Sequence, residues 1–348
     1  MIVIRRHIGG DIVPEIQLSQ RWLDGIPLYR PELSSQGTPW PPFAALGLAP
    51  LGLLARVSLP VAIAVWSAIS VACLASAMVL MRRWGGWRTA ALAFAATAVP
   101  IQTNFEHRNV NTILLVLVVA AAADLEDARD RRAGLWLGLA AAIKAFPALL
   151  IPYLAIQRRW RAFGIATAVA AGGTLLALAP YGAGGGAVSN AADWLQSSLA
   201  QDRWQLSIND QSLRALVLRM GGTPTLALGL AVLCAAVILV SAGTRSWDAL
   251  SGLGAVLLAS VLAAPIAWIH YYVLAFPGWA AVLRNTPSHF GRARATALIL
   301  AAAATSGFLT IGPRFLRHAL LQGSVYAWGS LMLLAALEWS GRHQAKLG

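Results

Sequence analysis

Lys144 carries a charged group in an unusual place, near the middle of the apolar run "GLAAAIKAFPALLIPY". A charge at membrane depth is costly unless it faces a cavity or a partner, so an intramembrane lysine indicates a functional site by default. An ammonium in such a setting suits a phosphate group. The alternative is a lysine whose stem lies in the apolar layer while its head reaches water, although Lys144 is far from either end of its run.

Asp11 and His270 are two further candidates for chemistry. Asp11 follows two glycines, so the backbone there can form an unusual turn and bring the carboxylate close to a ligand; the alternative is a solvated loop acid. His270 lies in "AAPIAWIHYYVLAFPGW", where a belt of aromatic side chains at a membrane interface would be ordinary. Such a belt explains the aromatic residues but not the histidine, which leaves a catalytic and a structural role both open.

The composition requires that these residues be positioned by membrane helices. The chain has 348 residues, of which 58% are hydrophobic and 12% charged, and its mean hydropathy is +0.64. Soluble domains average about 25% charged residues, so this sequence predicts an all-α polytopic membrane protein. Apolar stretches recur along nearly the whole length, which predicts a single membrane domain over residues 1–348.

About ten or eleven apolar segments follow from the hydropathy pattern, and not all of them need to cross the membrane fully. They are 42–56, 58–81, 89–103, 110–124, 133–157, 162–181, 224–243, 248–267, 269–284, 295–312 and 323–339. The first is short and is expected to dip into the membrane. The run 133–157 is Arg-rich at both flanks and is expected to enter and return, with a break near Lys144 and the following "FP".

Loop charges predict which segments share a side of the membrane. The basic clusters at 82–88, 126–132, 158–161 and 284–294 are expected in the cytoplasm by the positive-inside rule. The opposite face then collects a first outer loop (1–41), residues 104–109, a second large loop (182–222), the "WIHYY" turn (268–272) and residues 312–318. We therefore expect one water-facing polar cluster beside lipid, which contains the acids of the first loop, His107, Asp210 and His270.

Several function classes find no support in the sequence. The net charge of +13 falls in small clusters between apolar runs, which fits membrane topology better than nucleic-acid binding. Cys73 and Cys234 lie inside apolar runs and indicate neither a disulfide framework nor a metal site. No Gly-rich phosphate loop, metal-spaced Cys or His pair, or nucleophile elbow is present, so neither a metal nor another cofactor is predicted.

Five stretches in sequence resemble glycosyltransferase family 87, a family of integral-membrane enzymes of the GT-C superfamily that use polyprenyl-phosphate sugars. They are "GGDIVPEIQLSQRWLDGIPLYRP" with the following "WPPFAALGLAPLGLL", then "RNVNTILLVLVVAAA", "AGLWLGLAAAIKAFPALLIPYLAIQRRWRA", "NDQSLRALVLR" and "LAAPIAWIHYYVLAFPGWAAVL". Their order is the family's order, and they extend from about residue 9 to 284. The resemblance implies a GT-C-like helical bundle with an active-site loop on the outer face.

The resemblance also implies roles for individual residues. Asp11 corresponds to the catalytic base, His270 to the histidine of a Trp-x-His element, and Lys144 to the lysine of the "AAAIK" element. Lys144, His270 and Arg108 would stabilise the negative charge of the departing polyprenyl phosphate, while Asp11 would take the proton of the acceptor hydroxyl. The remaining expected substrate-binding residues are Glu15, Asn109, Asn111, Asp210 and Gln211.

The predicted function is transfer of a hexose, with mannose favoured, to a lipid-linked acceptor or a cell-envelope glycolipid at the outer face of the plasma membrane, with inversion at the sugar. No metal is required, and the partners are the donor, the acceptor and membrane lipids. The sequence departs from the family in three places: ten residues precede Asp11 where a helix is expected, Arg108-Asn109 replaces Gly-Gln, and Asp210 replaces Asn. A transporter or flippase, an inactive relative and a non-catalytic scaffold are the alternatives.

Overall fold

A computed structural model describes residues 10–29, 40–199, 207–245, 247–284 and 292–344 of the chain. Within these ranges the structure is built from helices, and its only β-type pairing is an isolated antiparallel bridge between Asp210 and Trp268. The predicted all-α class is therefore confirmed. Residues 1–9 and 30–39 of the first predicted loop, 200–206 of the second, and 285–291 of the last basic cluster lie outside the described ranges.

Eighteen α-helices follow one another in the described part of the chain. They are α1 Ile12–Leu23, α2 Pro42–Gly47, α3 Ala49–Val57, α4 Leu59–Met81, α5 Gly86–Ala95, α6 Ala98–His107, α7 Asn111–Glu126, α8 Asp130–Ile143, α9 Leu150–Ile156, α10 Trp160–Leu178, α11 Ala187–Leu199, α12 Leu213–Arg219, α13 Pro224–Thr244, α14 Ala249–Ala263, α15 Phe276–Arg284, α16 Arg292–Ser306, α17 Arg314–Gln322 and α18 Val325–Gln344. Short 3₁₀ turns at Phe146–Leu149 and Ile269–Ala275 join α8 to α9 and α14 to α15.

Three helices in the described ranges are long and apolar enough to cross a membrane: Leu59–Trp84, Trp160–Tyr181 and Pro224–Thr244. The pair α17 and α18 passes the same test together and is bent by 56°, which makes up to four spans. The remaining apolar runs form shorter helices, such as the 15-residue α14. The structure supports a helical membrane protein with three or four candidate spans, and the larger count of ten or eleven stays a prediction.

Local sequence explains where the long helices begin. The Thr223 side chain accepts a hydrogen bond from the Leu226 amide, and Pro224 occupies the first helical position, where its missing N–H costs nothing. Many apolar side chains of α4 and α13, including Val71 and Val232, are more than half exposed. Exposed apolar faces of this length are what lipid-facing helices require.

The interior of the bundle is formed around α14, almost all of whose side chains are buried. Close helix approach elsewhere depends on small residues, because a Cβ on Gly138 of α8 would lie 2.7–2.8 Å from Val169 and the Ala166 carbonyl of α10. Such small-residue contacts are the usual means of packing helices in membranes. The run 42–56 forms two short helices, α2 and α3, that both pack against α1.

Broken and terminated helices bring polar residues to one region. The break predicted in 133–157 is present: α8 ends at Ile143, Lys144 is extended (φ −145°, ψ 137°), and the chain resumes as a 3₁₀ turn. α6 ends at His107, with Arg108 in the left-handed conformation. His270 lies on the 3₁₀ turn that follows α14. These segments, together with the start of α1, carry the candidate site.

Candidate functional site

Asp11 is fixed by its own backbone at the start of α1. Its amide donates a 2.7 Å hydrogen bond to the carbonyl oxygen of His107, at the end of α6. Gly10 makes this approach possible, because it has φ +65° and because a Cβ at this position would overlap the His107 carbonyl. The turn predicted from the two glycines is thus seen at Gly10, and it joins the start of α1 to a segment almost 100 residues away.

Two imidazoles flank the Asp11 carboxylate. His107 Nδ1 lies 3.8 Å from one carboxylate oxygen, and His270 Nε2 lies 3.5 Å from the other. The two rings are 5.0 Å apart between centroids. The His107 side chain is 53% exposed, whereas His270 is buried and its Nε2 has no hydrogen-bond partner among the described residues. One ligand atom from each of the three residues lies within 4.8 Å of the others, so this group could hold a metal ion.

The environment keeps Asp11 ionised. Burial raises the pKa of the carboxyl, but the two imidazoles and the Asn109 amide outweigh that effect and lower it to about 2. In turn, the Asp11 carboxylate raises the pKa of His107. The carboxylate is therefore in the form that a proton acceptor needs at neutral pH.

Asn109 connects Asp11 to Lys144. Its Nδ2 donates a 2.7 Å hydrogen bond to Asp11 Oδ2, and its Oδ1 accepts bonds from Lys144 Nζ (3.2 Å) and from the Val110 amide (2.9 Å). The main-chain carbonyl oxygen of Asn109 accepts a hydrogen bond from the buried side chain of Asn104. The orientation of the Asn109 side-chain amide is thus fixed, because its nitrogen donates to Asp11 and its oxygen accepts from Lys144.

Asn111 joins two segments of the site. This buried residue donates to Asn104 Oδ1 (3.2 Å) and to the main-chain oxygen of His270 (3.0 Å). It therefore ties the start of α7 to the segment that carries His270. Its contacts are those of a residue that positions the site, while its predicted binding of substrate stays a prediction.

Lys144 lies in a box of aromatic rings. Its Nζ is 3.9 Å from the ring centre of Tyr271, 5.7 Å from that of Phe146 and 5.8 Å from that of Trp40, distances at which cation–π attraction operates. Phe146 and Tyr271 stack at 5.5 Å. The lysine head is therefore held in place inside the protein and does not extend to the membrane surface.

Lys144 is one of the residues that line an apolar cavity of about 200 Å³. The cavity is lined by Trp40, Pro41, Lys144, Ala145, Phe146, Trp194, Leu195, Ser198, Leu199, Ala264, Pro265, Ile266 and Tyr271. Among the described residues of this lining, Lys144 is the only one with a charged side chain. A cation in the wall of an apolar cavity suits a ligand with a hydrocarbon tail and an anionic group.

Glu15 is buried on α1, and its Oε2 has no hydrogen-bond partner among the described residues. Burial raises the pKa of its carboxyl to about 8, against the opposing effect of the Lys144 charge. The side chain is thus mainly neutral at pH 7. Glu15 is thus a protonated acid that senses the charges of Asp11 and Lys144, and its predicted contact with substrate stays a prediction.

Asp210 and Gln211 serve mainly to hold the fold together. Asp210 Oδ1 accepts hydrogen bonds from the amides of Ala267 and Ser212, both at 3.0 Å. The Gln211 side chain donates to the carbonyls of Ile208 and Leu321 and accepts from the Tyr326 amide. Both side chains are fully buried. Asp210 binds the second loop to the segment before His270, and Gln211 binds it to α17 and α18. Their predicted contact with substrate stays a prediction.

Arg108 lies next to the site without joining its network. Its carbonyl accepts a 2.8 Å bond from the Trp66 indole, which stabilises the left-handed turn (φ 50°). The half-buried guanidinium makes no hydrogen bond or ion pair with any residue that the structure describes. It remains available to an anion, as predicted for the donor phosphate.

Four site residues had not been singled out by the sequence: Trp40, Asn104, His107 and Tyr271. Topology placed His107 on the same side as Asp11 and His270, but nothing marked it as a partner of the carboxylate. Trp40 and Tyr271 look like ordinary interface aromatics in the sequence, and Asn104 has no motif around it. Their contribution follows only from the meeting of helix ends that are distant in sequence.

Comparisons of the sequence with known proteins point to one enzyme family. The sequence model of a protein family described as "Glycosyltransferase family 87" matches residues 39–277 of this chain. A polyprenol-phosphate-mannose-dependent alpha-(1-2)-phosphatidylinositol mannoside mannosyltransferase of Mycolicibacterium smegmatis is 34% identical over 163 residues, covering 39% of this chain and 36% of that protein. A polyprenol-phosphate-mannose-dependent alpha-(1-2)-phosphatidylinositol pentamannoside mannosyltransferase of Mycobacterium tuberculosis is 28% identical over 261 residues, covering 68% and 56%. The matched region thus spans between about one third and one half of these relatives' length.

Proposed function

The chain belongs to glycosyltransferase family 87, and we propose that it transfers mannose from a polyprenyl-phosphate donor to a lipid-linked or glycolipid acceptor. The names of its relatives support the donor, because all four depend on polyprenol-phosphate-mannose. They also support a glycolipid acceptor of the phosphatidylinositol mannoside class. We place the reaction at the outer face of the plasma membrane, on the charge pattern of the loops.

One observation carries the proposal: Asn109 joins an ionised carboxylate at 2.7 Å to a lysine at 3.2 Å. A displacement at the anomeric carbon needs a base on one side of the sugar and a cation at the leaving phosphate on the other. Asp11 and Lys144 provide these two groups, and Asn109 sets the distance between them.

In the proposed reaction, the acceptor hydroxyl oxygen forms a bond to the anomeric carbon while the bond from that carbon to the phosphate oxygen breaks. The hydroxyl proton passes to Asp11, and the electron pair of the broken bond stays on the polyprenyl phosphate. Lys144, with Arg108 beside it, stabilises the charge that develops there. The configuration at the anomeric carbon is inverted, because attack and departure occur on opposite faces.

The donor's two parts fit the cavity at Lys144. The ammonium binds the phosphate, and the apolar lining takes the first prenyl units. His270 lies beside the carboxylate and contacts Tyr271, whose ring covers the ammonium. It is suited to orient the base and to contact the sugar or the phosphate. This arrangement favours a transferase over a flippase, since transport does not require a carboxylate fixed opposite a phosphate site.

The test uses the full chain in proteoliposomes with labelled polyprenyl-phosphate mannose and a membrane lipid extract. We expect label to appear in glycolipid, and Asp11→Asn to abolish it. The matched control is Asp24→Asn, which removes an acid of the same loop from an exposed pair with Arg56. Label transfer that persists in Asp11→Asn contradicts the role of Asp11, and no transfer by the parent chain contradicts the activity itself.

A further inference from the structure

The side chains around Asp11 form a set of ligands that the proposed reaction does not fully use. Proton transfer from the acceptor needs the carboxylate and at most one imidazole to orient it. Here two imidazoles on different segments face the same carboxylate, at 3.8 and 3.5 Å. The second, His270, is buried, with an Nε2 atom that has no hydrogen-bond partner in the described part of the chain and that is directed at Asp11.

The spacing of these atoms is close to that of ligands around a metal ion. Zinc binds imidazole nitrogen and carboxylate oxygen at about 2.0–2.2 Å, and two ligands at such lengths in a tetrahedral site are about 3.4 Å apart. The separations of His107 Nδ1 from Asp11 Oδ1 (3.8 Å) and of His270 Nε2 from Asp11 Oδ2 (3.5 Å) are each within a few tenths of an ångström of that value. All three ligand atoms lie within 4.8 Å of one another, and the exposed His107 ring can close the remaining gap.

The kinds of ligand present select among metals. Imidazole suits Zn²⁺, Co²⁺, Cu²⁺ and Fe²⁺, whereas Mg²⁺ and Ca²⁺ prefer sites made of oxygen atoms. The surroundings also match those of known sites, because metal-binding carboxylates are usually oriented by a further hydrogen bond. Asn109 provides that bond to Asp11 Oδ2.

Lys144 does not occupy this position. Its ammonium bonds to Asn109 Oδ1 and faces the ring of Tyr271, so Asn109 separates it from the carboxylate. The half-exposed His107 provides access from solvent, while the buried His270 provides a fixed ligand.

We propose that Asp11, His107 and His270 bind a first-row transition-metal ion of the Zn²⁺ class in the resting protein, in competition with the acceptor hydroxyl. The metal site follows from the three side chains themselves, whereas the competition rests on the proposed function. A bound ion would hold the carboxylate lone pairs that the acceptor's proton needs. Binding of the acceptor and binding of the metal would therefore exclude each other.

The binding test uses the full chain in nanodiscs, purified without a polyhistidine tag, and Co²⁺ as a spectroscopic probe. We expect a saturable visible absorption band at one equivalent, which Zn²⁺ displaces. His107→Asn and His270→Asn should each weaken Co²⁺ binding at least about tenfold. The control is His318→Asn, which changes an exposed histidine on α17. Because His107 is also exposed, His107→Asn is expected to fold even if His270→Asn does not.

The proposed metal site is wrong if no saturable Co²⁺ band appears, or if the parent and His107→Asn bind Co²⁺ equally. The second arm measures mannose transfer: Zn²⁺ should inhibit, additional acceptor should relieve the inhibition, and Mg²⁺ should have no effect. If Zn²⁺ instead activates mannose transfer by protein that a chelator has freed of metal, the proposed competition between metal and acceptor is wrong. A triad-dependent Co²⁺ band without any mannose transfer supports the metal site and counts against the proposed function, so the two failures are distinguishable.

Discussion

Asn109 donates a 2.7 Å hydrogen bond to Asp11, across 98 positions in the sequence. Since the same side chain accepts a bond from Lys144, it can hold only one orientation in which both contacts are satisfied. The carboxylate and the ammonium are thereby held apart instead of forming a direct ion pair. A direct pair would neutralise both groups, so this separation leaves each of them available to a substrate.

Loss of the Asn109 side chain should therefore impair transfer more than it impairs folding. A hydrogen bond to a charged group contributes about 1.5–3 kcal/mol, so Asn109→Ala is expected to lower kcat/KM for mannose transfer about 10- to 100-fold. The measurement is transfer from labelled polyprenyl-phosphate mannose. Asn209→Ala, which changes an exposed asparagine of the second loop, is the control. Equal rates for the two variants would show that Asn109 is not needed to separate the charges.

A second prediction concerns the glycine that brings Asp11 to α6. Gly10→Ala adds a Cβ that overlaps the His107 carbonyl and should break the 2.7 Å bond from the Asp11 amide, with at least a tenfold loss of transfer. Gly25→Ala is a matched control, because Gly25 has nearly the same φ (+66°) but nothing within 4 Å of the added atom.

The two variants carry a similar backbone cost of about 1 kcal/mol, so any difference between them reports the close approach at Gly10. Thermal unfolding should place the midpoint of Gly10→Ala below that of Gly25→Ala, because only Gly10→Ala also loses the hydrogen bond from Asp11 to His107, and the transfer rates should differ in the same direction. If both variants lose activity equally, backbone strain in the first loop explains the loss and the contact with His107 does not.

Local signals predicted part of the site. A lysine in an apolar run followed by "FP" predicted the break after α8, and two glycines before Asp11 predicted its turn. These features depend on a few neighbouring residues, whose conformational limits can be read directly from the sequence. The all-α class followed equally from composition.

Long-range packing decided what the sequence could not predict. His107 joins Asp11 only because α1 docks on the end of α6. Asp210 accepts main-chain bonds from Ala267 and Ser212 inside the fold, and its place in a polar loop did not predict these contacts. The number of spans was also hard to predict, because an apolar run such as 248–267 contains a proline that ends α14 at Ala263.

A third prediction separates the ring of Tyr271 from its hydroxyl group. The ring centre is 3.9 Å from Lys144 Nζ, and cation–π attraction requires only the ring. Tyr271→Phe should therefore keep the KM for the polyprenyl-phosphate donor within about twofold. Tyr271→Leu should raise that KM about 2- to 30-fold, because it loses about 0.5–2 kcal/mol of attraction that orients the ammonium. The measurement is donor titration at saturating acceptor.

Lys144→Gln completes this series, since it removes the charge itself and should raise the donor KM more than Tyr271→Leu does. Arg56→Gln, at an exposed arginine that pairs with Asp24, provides the control. A donor KM that does not change in Lys144→Gln would move the phosphate site to Arg108 or elsewhere.

The last prediction follows from the neutral state of Glu15. Burial raises the pKa of this carboxyl from 4.5 to about 8, with the Asp11 charge also raising it and the Lys144 charge opposing the shift. Glu15→Gln should therefore keep transfer within a few-fold of the parent, in contrast to Asp11→Asn, because an amide resembles the protonated acid.

Between pH 4.5 and 8 the folded protein retains the Glu15 proton that the unfolded chain has lost, so the stabilising effect of protonated Glu15 decreases as pH rises. Glutamine has no such proton to lose, so the unfolding midpoint of Glu15→Gln relative to the parent should rise progressively from pH 5 to pH 8. Glu106→Gln, at an exposed glutamate of α6, should show no such trend. A difference between Glu15→Gln and the parent that does not change with pH would mean that Glu15 is ionised in the folded protein.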